Sequence, residues 1–372
     1  MSRLRFVNGT IVGCGVRSAL LVREGRIGSP DEWAGATEID LDGGYLLPGF
    51  IDTQVNGGGG VLFNDSPTVE AIAEIGAAHG RFGTTAFLPT LISDELDKVD
   101  AAMRAAEQAI EDGVPGVVGI HLEGPFLSGA RKGIHDPAKF RRIDARAIAL
   151  LSGLRVGRTL VTLAPEECEV ADVAALVGAG VIVAAGHSNA SYRQMVDAFA
   201  AGVTGVTHLF NAMSPFSHRA PGVVGAALEN RSVYCGIVAD GRHVDPAALR
   251  IAVNARPRDR FMLVTDAMPS VGSSEKSFTL QGKRIRVVDG VCVDENGVLA
   301  GSDLDMASAL RNMVAMVGVS LEEASVMASG APAAFLGFSD RGRLTPGARA
   351  DLVWLGADMT VRGAWIGGQR AA

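Results

Sequence analysis

Eight short apolar runs recur along the chain, at 50–54, 84–89, 117–121, 159–163, 181–185, 203–207, 233–239 and 261–265. Parallel strands buried on both faces read as continuous Val/Ile/Leu runs, and strands alternating with helices build a parallel sheet. An open doubly wound sheet typically has fewer strands, so the count predicts an α/β fold, a (β/α)8 TIM-like barrel. Helices are expected at 68–81, 94–111, 191–201 and 245–254, where Ala, Leu and charged residues predominate and Ser or Asp stands near the start.

The two ends read differently. Residues 1–46 offer short alternating segments with turn signals at Asn8-Gly9, Glu24-Gly25 and Asp42-Gly43, and strand-like segments return at 350–355 and 364–368. A small β-sandwich domain built from 1–46 and 345–372 is expected, with the catalytic barrel in 47–344. Turns at Gln281-Gly282, Asp289-Gly290 and Glu295-Asn296-Gly297 mark a β-hairpin insertion near 277–299.

With 372 residues, 48% of them hydrophobic, the chain can bury a large core. A formal charge of -7 and no basic stripe argue against nucleic acid as a partner. The start lacks a signal-peptide pattern and no apolar run has the length of a membrane span, so a cytoplasmic protein without a membrane partner is expected. Cys14, Cys168, Cys235 and Cys292 lie far apart without C-x-x-C spacing and are expected to be reduced core cysteines.

Four chemistry-bearing residues follow the apolar runs: Glu123, His187, His208 and Asp266. Barrel enzymes carry their chemistry at the carboxyl ends of their strands. Two imidazoles and one carboxylate suit a borderline divalent metal and leave a position for water. Glu123, His187 and His208 supply that set, and Asp266 could take the water's proton and return it to a leaving amine. Any one of the four could equally be a helix cap or a backbone-bonded histidine; together they favour a metal site. His121, two residues before Glu123, is expected as a hydrogen-bonding or packed core histidine ahead of a ligand. Gly57-Gly58-Gly59-Gly60 lacks the Gly-Lys-Ser/Thr ending of a phosphate loop and is expected as a mouth loop.

The segments Pro48-Gly49-Phe50-Ile51-Asp52, His121-Leu122-Glu123-Gly124-Pro125-Phe126, Gly186-His187-Ser188-Asn189-Ala190 and Thr207-His208-Leu209-Phe210-Asn211-Ala212-Met213 are specific enough to name a family. They resemble the N-acetylglucosamine-6-phosphate deacetylases of the amidohydrolase superfamily, and the likeness runs from about residue 46 to 315 and takes in the terminal strands. The resemblance implies attack of a metal-activated water on the acetamide of N-acetylglucosamine 6-phosphate, releasing acetate and glucosamine 6-phosphate. It implies Glu123, His187 and His208 as metal ligands, Asp266 as general base and acid, and His135 beside the substrate carbonyl. Asn211, Ala212, Arg219 and His243 match substrate-contacting positions. In this family the arginine and the second histidine can come from a neighbouring subunit, which implies a homodimer with shared sites.

Many amidohydrolases carry His-x-His after the first strand and hold two metals, whereas this chain has Gln54-Val55-Asn56. Amides are poor transition-metal ligands, so one divalent ion per subunit is expected, Zn2+ first, with Fe2+, Mn2+ or Co2+ suited to the same donors. Gln54 and Asn56 are then expected to bond the substrate or the attacking water. Fold and metal site alone also fit hydrolysis of another N-acyl compound or a cyclic amide, a barrel that has lost its metal, or a ferrous oxygenase triad. Asp266 and the barrel pattern favour hydrolysis.

Overall fold

The computed structural model describes residues 3–13, 19–29 and 35–371; Cys14 and parts of the expected N-terminal β-region lie outside them. Eight strands form one parallel sheet in chain order: β1 (Phe50–Val55), β2 (Thr84–Ile92), β3 (Gly119–Glu123), β4 (Arg158–Leu163), β5 (Ile182–Ala185), β6 (Gly205–Val206), β7 (Tyr234–Ile237) and β8 (Phe261–Leu263). The sheet closes where the segment after β8 meets β1. Val55 bridges Ala267 in parallel, and the Asp266 amide donates to the Gln54 carbonyl at 3.0 Å. The fold is a TIM-like barrel.

Strand β3 begins two residues later than its apolar run suggests. Its pairing decides this: Gly119 opens the ladder with Arg158, and Glu123 closes it between Ile92 and Thr162. Glu123 is therefore the last residue of the strand itself rather than a residue beyond it.

Inward-facing Ile51, Ala86, Leu88, Leu160, Ala184 and Met262 pack as one cluster with Phe335 and Leu336, from and just after the short helix Ala331–Phe335, as a filled floor. The other strand faces join the surrounding helices in a larger core. Helices occur at Val69–Gly80, Leu96–Glu111, Tyr192–Ala200 and Pro246–Ala255, close to the expected ranges. Local chemistry starts them: Thr68, Ser191 and Asp245 each accept an amide of the first turn, and Ser191 with Gln194 completes a capping box.

The terminal segments make two further sheets. One pairs Thr10–Ile11, Tyr45–Pro48, Leu352–Leu355, Val361–Ile366 and Gln369–Arg370, and the other pairs Arg26–Ile27, Ala19–Arg23, Arg3–Val7 and Thr37–Asp40. Phe6 meets Trp365 edge-on at 4.9 Å in a core separate from the barrel's. Tyr45–Pro48 runs through residue 46 and leads after Gly49 into β1, so the first barrel strand is tied directly to these sheets. The insertion after β8 is more than a hairpin. It forms a four-stranded antiparallel sheet over Ser277–Leu280, Lys283–Val288, Val291–Val293 and Leu299–Ser302, because each of its three turns reverses a strand. Among the described residues no helix is long and apolar enough to cross a membrane.

One glycine tests this packing. A Cβ on Gly119 would run into the Arg158 carbonyl oxygen, a backbone atom inside the β3–β4 ladder. Gly119→Ala should cost about 1–3 kcal/mol of stability by overpacking, read as a lower denaturation midpoint. An unchanged midpoint would show that the ladder yields freely there.

Candidate metal centre and active site

Glu123, His187, His208 and Asp266 come from four different strands, yet the barrel brings them to one mouth. Glu123 is held in extended geometry at the end of β3. The other three sit just beyond β5, β6 and β8 with left-handed backbone, φ 47° at His187, 30° at His208 and 52° at Asp266. Non-glycine residues rarely adopt such angles, each at a cost of order 1–3 kcal/mol, and such strain gathers at functional sites.

The side chains converge tightly. His208 Nε2 lies 2.9 Å and His187 Nε2 3.2 Å from the same Glu123 Oε1, and the two nitrogens are 3.1 Å apart. Two imidazole nitrogens facing each other and one carboxylate oxygen cannot be satisfied by a full set of protons. Metal–ligand bonds of about 2.0–2.1 Å in a tetrahedron put neighbouring donors about 3.3 Å apart, close to the spacing found. These residues fit one divalent cation. His135 also approaches: its ligand atom, with those of Glu123 and His187, falls within 4.8 Å. Its Nε2 is 3.9 Å from Glu123 Oε2, farther out than His208, so His208 is the better third donor.

Gln54 and Asn56 occupy the place of the missing His-x-His. Gln54 Nε2 donates to Glu123 Oε1 at 3.1 Å and to Asp266 Oδ1 at 3.2 Å, while Asn56 Nδ2 donates to Asp266 Oδ1 at 2.7 Å. The amides hold the two carboxylates beside each other. Burial, then the charge of Glu123, pushes Asp266 up to about 6. Burial would likewise raise Glu123, but hydrogen bonds and charge from His187 and His208 outweigh it and hold Glu123 well below the usual carboxylate range.

His135 is oriented from behind. Its Nδ1 lies 2.8 Å from Ser93 Oγ and accepts from the Ser93 amide at 3.4 Å, which leaves the proton on Nε2, toward the cavity. Burial, reinforced by the charge of His187, carries it down to about 3, so this imidazole stays neutral. His243 Nδ1 meets Asp240 Oδ2 at 2.6 Å. His121 bonds Thr162 Oγ1 at 2.8 Å through Nε2 and faces Thr90 through Nδ1, so both of its nitrogens are engaged within the barrel and it adds no ligand atom to the cluster.

A cavity of about 450 Å³ opens over this cluster. Asn56, Glu123, His135, His187, His208, Asn211, Ala212, His243 and Asp266 line it, together with Arg131, Lys132 and Gly301. A larger cleft of about 630 Å³, between residues 113–118 and the last strands, holds none of these groups. Gln54 is outside this lining but bonds Glu123 and Asp266, which belong to it. Arg219 is not brought in: it is exposed on the turn where Ser217 bridges Ala220 and does not line its own chain's cavity. Sequence reasoning passed over Ser93, Arg131, Lys132 and Asp240. Asp240 and Lys132, three residues before His243 and His135, left a local signal; Ser93 reaches the site through folding.

The sequence profile of the amidohydrolase family matches residues 45–371. The chain belongs to this family. It is 43% identical to an N-acetylgalactosamine-6-phosphate deacetylase of Shewanella sp. (strain ANA-3), over 96% of this chain and 88% of that protein. An N-acetylglucosamine-6-phosphate deacetylase from Pasteurella multocida superposes with a TM-score of 0.95 at 34% identity, covering 99% of each chain. A variant of the Mycobacterium smegmatis N-acetyl-D-glucosamine-6-phosphate deacetylase, in complex with N-acetyl-D-glucosamine-6-phosphate, gives 0.91 at 33% identity over the whole of both chains.

Proposed function

We propose that this family member hydrolyses the acetamide of N-acetylglucosamine 6-phosphate to glucosamine 6-phosphate and acetate. The observation that carries the reading is the Glu123–His187–His208 triangle with Asp266 tied to it through Gln54. When bound there, a divalent ion supplies Lewis-acid polarisation and a water of lowered pKa. Zinc is the first choice on donor chemistry, with Fe2+, Mn2+ and Co2+ fitting the same set.

The chain's own residues account for the proton traffic. Both amide donors fall on Asp266 Oδ1, which leaves Oδ2 to take the proton of the attacking water. The same carboxyl then returns it to the departing amine. His135 Nε2–H donates to the acetamide oxygen as negative charge develops there, and its lowered pKa prevents it from becoming a competing cation. Asn211, Ala212 and His243 line the wall that would meet the sugar.

Phosphate recognition by Arg219 then requires a second subunit, since the residue does not reach its own cavity. We assign it that role in a homodimer with shared sites. Arg219→Ala should weaken kcat/KM for the phosphorylated sugar by about 10–100-fold, the worth of a hydrogen bond to a charged group, and leave the unphosphorylated sugar nearly unaffected. Equal losses on both would remove Arg219 from phosphate recognition.

The C4 epimer is a second reading, favoured by the name of the Shewanella relative. Acetate release from the 6-phosphates of N-acetylglucosamine and N-acetylgalactosamine, each beside its unphosphorylated parent, tests both. Zinc-loaded protein should act on at least one phosphorylated epimer and prefer it to the parent. Hydrolysis of none would overturn the assigned substrate class.

A further inference from the structure

A turn in the loop after β3 is fastened to His187 at both ends. Residues Gly129–Arg131 form a single 3-10 turn, closed by the Arg131 amide on the Ser128 carbonyl at 2.9 Å. The Ser128 amide donates to the His187 carbonyl at 3.0 Å, and His187 Nδ1 donates to the Arg131 carbonyl at 2.9 Å. This second bond fixes the tautomer of the neutral ring: with the Nδ1 proton on Arg131 O, Nε2 is the nitrogen left to offer a lone pair on the side of Glu123 and His208. His208 has no such support, since its buried Nδ1 has no hydrogen-bond partner. The orientation of one imidazole at the centre thus depends on where a single carbonyl points.

Little besides polar contacts holds that carbonyl. None of the three turn residues is buried, and no side chain caps the turn. What reaches it from outside is Asn189, two residues after His187, whose Oδ1 accepts from Arg131 Nε at 3.0 Å. Asn189 is itself anchored: its amide, together with the Ser188 hydroxyl at 2.6 Å, is bound by the carboxylate of Glu166. Gly133 completes the approach: its φ is +56°, and a Cβ added there would come within 3.2 Å of His187 Cε1, so a side chain at this position would crowd the imidazole.

We propose that Asn189 is a positioning residue for the metal centre, acting through the Arg131 side chain to aim the Arg131 carbonyl at His187 Nδ1. The inference rests on the reading of His187 as a metal ligand. A hydrogen-bond partner behind a ligating histidine fixes its ring and raises its basicity, and loss of one typically lowers metal affinity 10–100-fold. The latch stands one bond further back, so the lower part of that range applies. It also places metal affinity under the control of a loop that lines the substrate cavity through Arg131, Lys132 and His135.

The test is zinc affinity of the full-length protein, measured by competition with a chromophoric chelator, alongside the melting temperature of the metal-stripped form. Asn189→Ala should weaken zinc binding about 10-fold and speed its release, with the metal-free melting temperature essentially unchanged. Asn189→Asp keeps an acceptor for the Arg131 guanidinium and should restore affinity to within about threefold of wild type. His187→Ala serves as the reference and should abolish tight binding. Retention of zinc by His187→Ala would overturn the ligand reading itself. Loss with His187→Ala but wild-type affinity in Asn189→Ala would overturn the latch alone. An Asn189→Asp protein as weak as Asn189→Ala, or a metal-free form of Asn189→Ala that melts much lower, would likewise overturn it, because either result marks a general structural role.

Discussion

Asp266→Asn should retain a full complement of metal and lose about 10²–10⁴-fold in kcat, the range expected when a positioned general base is removed. The substitution is nearly isosteric, and an amide oxygen can still accept from Gln54 and Asn56, so the geometry around Oδ1 is kept. What disappears is the ability to take a proton. Metal content by elemental analysis and turnover by acetate release separate the two effects. Near-normal turnover with metal present would take Asp266 out of the proton pathway. Wild-type activity should carry a matching acid limb: burial and Glu123 set Asp266 at about 6, so acidification protonates the base and kcat falls at or below that pH. The limb should be absent from the residual activity of the variant.

Glu123→Ala should remove metal and activity together. Glu123 Oε1 is the one atom that both His187 Nε2 and His208 Nε2 approach, and Gln54 spans from it to Asp266. Removing it opens the triangle and unties the base from the centre. Zinc stoichiometry should fall from near one to near zero after dialysis. Activity should fall by about 10³-fold or more, since Lewis-acid activation is worth several kcal/mol and each 1.36 kcal/mol is a factor of ten. Stripping the wild type with a chelator should reproduce the loss, and added zinc should reverse it there but not in the variant. A variant that kept both metal and turnover would relocate the centre, with His135 a remaining donor within reach of His187.

Much of the architecture was legible because strand and helix formation answer to local pattern. The apolar runs of β1 through β8 are short and continuous, and Thr68, Ser191 and Asp245 mark helix starts by chemistry that acts within one turn. Register was less legible. Glu123 falls inside β3 because Thr162 and Ile92 pair with it, and neither is visible from residues 117–123. The insertion after β8 showed its turns but not that four strands would pair into a sheet.

The sequence by itself determined the kinds of groups at the ends of the strands, and family motifs named the chemistry those kinds can perform. Folding decided which atoms meet. Gln54 became a bridge between Glu123 and Asp266 because closure of the barrel sets β1 against the segment after β8. His135 acquired a defined tautomer from Ser93, 42 residues away along the chain. Arg219 matches a substrate-contacting position in sequence, yet the fold of one chain leaves it exposed and outside the cavity. The reason is one of range: residue type and local pattern act over a few bonds and one turn. Distances of about 3 Å between side chains on different strands exist only after the chain has closed on itself.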